Sequence, residues 1–69
     1  MAFAEITRIG RRRLRMTQRE FSEDVLHVPL STYQGWEKKD SKEPNQATQN
    51  FVLVALAHPE IVKAVLEKT

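Results

Sequence analysis

The chain contains no cysteine, which excludes a disulfide framework and makes a reducing cytoplasm the expected compartment. With two histidines and no thiol, a structural zinc site is not expected either. No apolar run reaches the roughly 18 residues that a membrane span needs, and no secretory signal pattern is present, so no membrane partner is expected. Repeats, low-complexity stretches and alternating strand patterns are all missing. There is no glycine-rich phosphate loop and no Ser/His/Asp or Cys/His arrangement, so the chain is not expected to be an enzyme or to carry a cofactor.

What is present is 69 residues, 41% of them apolar, enough for one small domain with one modest core. A domain of this size without a covalent staple often gains stability by oligomerising. The net charge of +2 conceals a strong asymmetry. Arg8, Arg11, Arg12, Arg13, Arg15 and Arg19 place six positive charges in a stretch with no acid, whereas the chain from Glu20 onward is net acidic. Such a split points to one face for a polyanion and another for a different task. A solvated arginine-rich helix is the plainer alternative.

The pattern reads as five helices in one domain, residues 1–69. Phe3, Ile6, Ile9, Gly10 and Leu14 recur near a 3.6-residue period and predict helix one over 2–14. Gly10 costs about 1 kcal/mol of helix propensity against alanine, so a close helix contact is expected there. Thr17 is a good N-cap, with Glu20 as its capping-box partner, and helix two is expected over 18–25. Leu26-His27-Val28 forms a turn, Pro29 suits the first turn of helix three, and that helix is expected to continue to Lys39 with Tyr33 and Trp36 facing inward. After the polar loop Asp40 to Asn45, helix four is expected over 46–57 and helix five from Pro59 to about residue 67. Phe51, Leu53, Leu56, Ile61, Val62, Val65 and Leu66 exceed what one face of each helix needs. Part of that surplus is expected to form a homodimer surface, unless helix four is simply buried all round.

Thr17-Gln18, Phe21-Ser22, Val25, Val28, Ser31-Thr32-Tyr33 and Trp36-Glu37, in that order, resemble the helix-turn-helix of Xre/Cro/cI-type repressors. The stretch VPLSTYQGWEKK, the proline loop after it and FVLVALAHPEIVKAVLE are most similar to the DNA-binding domains of HigA- and MqsA-type antitoxins. The likeness covers about residues 6–67 and implies an all-α, compact, five-helix lambda-repressor-like domain with its helix-turn-helix at about 17–39. It also implies a bacterial or phage protein at the nucleoid. Two departures stand out: Leu26-His27 replaces the turn glycine, and the stretch from Gln18 to Trp36 is one residue longer than the common pattern. The extra residue is expected in a wider turn or in a different end to helix two.

The resemblance assigns Gln18 to a DNA phosphate, and the N–H groups at the start of helix two reinforce an anion site there. Arg19 flanks it as charge, while Thr17 is read both as part of this site and as a plain cap. On helix three, Leu30, Ser31, Thr32, Gln34 and Gly35 form the outward face. Gln34 is the candidate for base readout, because a glutamine amide matches the N6/N7 edge of adenine. Ser31 and Thr32 suit bases or phosphates, Leu30 a thymine methyl, and Gly35 permits close approach, with Lys38 and Lys39 on phosphates. By spacing, Arg11 and Glu37 match a family pair that ties helix one to the end of helix three, so Arg11 is read as structural.

Two functions compete. One is a sequence-specific transcriptional repressor, dimeric on a palindromic operator of double-stranded DNA, because one short recognition helix reads only a few base pairs. The other is an antitoxin that neutralises a toxin protein as well as regulating its own gene. Antitoxins of this kind commonly bind their toxin through a segment outside the helix-turn-helix domain.

Overall fold

Glu5 in the first turn and Arg11, Arg12 and Arg13 in the last complement the dipole of helix α1, Phe3–Arg13, in the computed structural model, which describes residues 2–38 and 42–69. Ala2 offers α1 no side-chain cap. Glu43 supplies one from the distant loop, accepting the Phe3 N–H at 3.1 Å. The inward face of α1 matches the apolar period only in part. Phe3, Ala4, Thr7 and Arg11 are buried, while Ile6, Ile9, Gly10 and Leu14 are half-buried and flank a groove. Both stripes have helical spacing; Arg11 turns inward because its ion-pair partner, described below, lies there. Gly10 sits at a close approach, since a Cβ there would lie 2.8 Å from Leu56 Cδ2.

The chain turns after α1 through Arg15, whose φ of 59° is left-handed. Thr17 and Glu20 then close a reciprocal capping box. The Glu20 N–H donates to Thr17 Oγ1 at 3.1 Å and the Thr17 N–H to Glu20 Oε1 at 2.9 Å. Helical winding begins at Gln18 and becomes a π helix over Glu20–Leu26, a form in which N–H groups bond five residues back. This wider winding accommodates more residues per turn than an α-helix would. His27 ends the π helix at φ 56°, the left-handed position that glycine fills most easily. The His27 and Val28 N–H groups both bond the Ser22 carbonyl, the latter at 2.9 Å.

Helix α2 spans Leu30–Glu37, with Pro29 at its N-cap rather than in its first turn. It stops short of the expected end, because Lys38 is already extended at ψ 130°. Lys39 lies outside the described residues. Asn45 caps helix α3, Gln46–Ala57, by accepting the Thr48 N–H at 2.8 Å. His58 breaks the axis by 113°, and Pro59 opens helix α4, Pro59–Glu67, at the position where its missing N–H costs nothing.

These five helices are the only regular elements among the described residues, which contain no strand. The π helix packs against α4, and α1 packs against α2 and α3. Phe21, Val25, Leu26, Tyr33, Val52 and Ala55 form the buried centre, with Phe3 and Val62 at its edges. Tyr33 meets Phe21 edge-on at 5.5 Å and Trp36 at 6.1 Å between ring centroids. The radius of gyration is 11.1 Å, close to the roughly 11 Å of a compact chain this long. Helix α3 is not buried all round. Val52 and Ala55 point inward, whereas Leu53 and Val54 are 42% and 53% exposed. No single helix among the described residues is long and apolar enough to cross a membrane.

Candidate nucleic-acid interface

A line of side-chain hydrogen bonds joins three elements at one corner of the molecule. Arg11, on α1, donates from Nε to Glu37 Oε2 at 2.7 Å and from Nη2 to Oε1 at 3.2 Å, a two-point grip on the last residue of α2. Its third nitrogen, Nη1, donates to the Met16 carbonyl at 2.9 Å and so holds the turn between α1 and the π helix. Gln18 donates from Nε2 to Glu37 Oε1 at 3.0 Å. Gln34 donates from Nε2 to Gln18 Oε1 at 3.2 Å. Each bond fixes the next: Glu37 orients the Gln18 amide, and Gln18 orients the amide of Gln34.

The electrostatics follow from this wiring. Burial pushes the Glu37 carboxyl up, but the hydrogen bonds from Arg11 and Gln18 outweigh it and hold the group below the ordinary carboxylate range. The Arg11 guanidinium is raised by its bond to Glu37, against the opposing effect of burial. The Tyr33 phenol is pushed far up by burial, so it stays neutral. At the rim, the Thr17 N–H lowers the Glu20 carboxyl, which it bonds.

Around the network lies an open polar concavity of about 770 Å³. Arg8, Arg11 and Arg12 of α1 line one side, Thr17 and Gln18 the base, and Gln34, Glu37 and Lys38 the other side. The residues singled out in the sequence are distributed accordingly. Ser31, Thr32 and Gln34 are exposed on α2, while Leu30 and Gly35 are half-buried there. A Cβ added at Gly35 would meet nothing within 4 Å, so its surface is open to an approaching molecule. Arg19 is exposed and already paired with Glu23 at 3.3 Å, within one helical turn. Lys38 lines the concavity from extended backbone instead of from a helix.

Sequence reasoning left Arg8, Arg12 and Arg13 alike to phosphates or solvent and did not separate the first two from the third, and it did not foresee the Gln18–Gln34 bond across 16 residues. The only signal for the separation was the i,i+4 spacing of Arg8 and Arg12; for the bond there was none. Among the described residues no three histidine, aspartate or glutamate side chains gather closely enough to hold a metal ion. No protein-family model matches this chain, and neither the curated proteins nor the solved structures contain a match to it.

Proposed function

We propose that this chain is a sequence-specific DNA-binding transcriptional repressor of lambda-repressor-like fold, with the π helix and α2 as its helix-turn-helix. The observation that carries the reading is the orientation of Gln34. Its Nε2 donates to Gln18, and the side chain is exposed midway along α2, which leaves Oε1 and the second N–H for another partner. An adjacent acceptor and donor is the pattern that complements the N6/N7 edge of adenine in the major groove. Gln18, two residues before the π helix, joins phosphate positioning to base reading, because its side chain bonds both Glu37 and Gln34. Ser31, Thr32 and the bare surface of Gly35 complete the reading face, and the basic concavity supplies attraction that is independent of sequence.

The chain acts as a dimer through α3 and α4. Ile61 and Val65, one turn apart on α4, are 62% and 55% exposed, and Leu53 and Val54 add to that apolar surface. Two copies spaced by a turn of DNA would read a palindrome. Selection of bound duplexes from a random pool tests the whole reading. It should return an inverted repeat with an adenine under Gln34, and Gln34→Ala should relax selectivity at that base by about 1–3 kcal/mol. A pool that shows no enrichment would sink the proposal.

A further inference from the structure

The six arginines between residues 8 and 19 are neighbours in sequence but not in space. Arg11 is buried against Glu37, and Arg19 is paired with Glu23. Arg13 lies on another face of α1, beside the apolar groove of Ile9, Leu14 and Leu56. Arg15, exposed in the left-handed turn after α1, does not line the concavity. Arg8 and Arg12 remain. They stand one turn apart on α1 and both face the concavity that holds Gln18 and Gln34. Among the described residues neither has a carboxylate within ion-pair distance.

Two guanidinium groups at i,i+4 repel each other, and no ion pair among the described residues relieves them. Glu37, the carboxylate that lines the same concavity, already accepts from Arg11 and Gln18, and Glu5, one turn before Arg8, forms no ion pair with it among the described residues. An anion entering the concavity would therefore meet two unopposed forks, whose planar N–H pairs match the oxygens of a phosphate. It would also meet a surface that links directly to Gln34 through Gln18.

Resting on the DNA-binding reading above, we propose that Arg8 and Arg12 form a phosphodiester seat on α1. The seat grips the DNA backbone beside the bases that α2 reads. It assigns the main sequence-independent contact to α1 and leaves Arg13 outside the interface. A single exposed pairing such as Arg19–Glu23 is weak enough to rearrange, so Arg19 adds to the seat without replacing it.

The test compares three single-charge deletions in the full chain, Arg8→Ala, Arg12→Ala and Arg13→Ala, by titrating the selected operator and a scrambled duplex across a salt series. Circular dichroism melts check that all three remain folded. Arg8→Ala and Arg12→Ala should each flatten the slope of log K against log salt by about 0.9, the loss of one phosphate contact. They should weaken operator and scrambled duplex by the same factor, and Arg13→Ala should leave the slope near that of the parent. If the parent binds the operator but all three variants share one slope, the seat is wrong and the DNA-binding reading stands. If the parent binds no duplex, the reading fails and the seat with it. Competition by poly-glutamate as strong as that by scrambled duplex would overturn the seat in favour of an acidic protein partner.

Discussion

The corner where α1, the π helix and α2 meet and the outer side of α3 and α4 are built on opposite terms. At the corner, a buried guanidinium and carboxylate and two amides are joined by bonds of 2.7 to 3.2 Å. On the outer side, Leu53, Val54, Ile61 and Val65 stand at least 42% exposed and form no directional contact. A chain this small cannot bury every apolar side chain it has, and it spends core volume on an ion pair. The corner gains a defined orientation for Gln34 by that choice, while the outer side keeps apolar area suited to a second copy. One region works by angle and the other by area.

The comparison can be broken most severely at Glu37. Glu37→Ala leaves Arg11 buried without its carboxylate, a loss of about 3–5 kcal/mol. Domains of this length hold only about 3–10 kcal/mol in total, so the variant should lose a third or more of its stability and its urea midpoint at 25 °C should fall sharply. Arg11→Ala should behave alike. Equal midpoints for parent and variants would mean that the corner contributes no stability.

The outer side should respond in the reverse sense. Ile61→Lys with Val65→Lys alters exposed positions, so at concentrations low enough for the parent to be monomeric its stability should stay within about 0.5 kcal/mol of the parent. Sedimentation should show a monomer, and operator affinity should fall about a hundredfold or more as the second half-site is lost. A variant that remains dimeric would move the pairing surface elsewhere.

Acid distinguishes the two regions more gently. Because Glu37 and Glu20 both titrate below the ordinary carboxylate range, the folded chain binds fewer protons there than the unfolded one. Their contribution is intact above the ordinary value of about 4.3 and is lost as pH falls from there toward the lowered values. Urea midpoints measured from pH 6 to 3 should drop over that interval. In Glu37→Gln the drop should be shallower, and an unchanged drop would exclude Glu37 as its source. Ile61→Lys with Val65→Lys should follow the parent.

The smallest effect is expected at Gly35. Alanine there meets open space within an α-helix, so Gly35→Ala should stabilise the chain by about 1 kcal/mol while weakening operator binding. A variant that binds operator as tightly as the parent would place Gly35 outside the DNA contact.

The helices were legible because their signals are local. Thr17 with Glu20, Pro29 and His58-Pro59 are start and stop marks readable within a few residues, and the structure puts helix ends close to them. What was hidden depends on distant or non-periodic causes. The Glu43 cap on Phe3 spans 40 residues, and the division of the arginines between faces becomes visible only once α1 is packed. Apolarity alone did not find the buried stripe of α1, because it includes Thr7 and Arg11, and it did not tell which apolar residues of α3 turn inward, because Val52 and Ala55 do so while Leu53 and Val54 stay exposed. The Arg11–Glu37 pair reached the sequence reading only through resemblance, since nothing about either residue alone marks it as buried. The early stop of α2 was missed because Lys38 suits a helical composition without continuing the helix.

The π helix has a consequence for phase. Removing one of its outward residues, Glu23 or Asp24, would return the segment to ordinary α spacing while leaving the Thr17 cap, the His27 reversal and the Arg11–Glu37 clamp in register. The same deletion inside α2 would swing Gln34 about 100° around the helix axis. The chain therefore carries one residue of slack immediately upstream of the helix whose angular setting matters most, and a change of length there is absorbed before it can rotate Gln34.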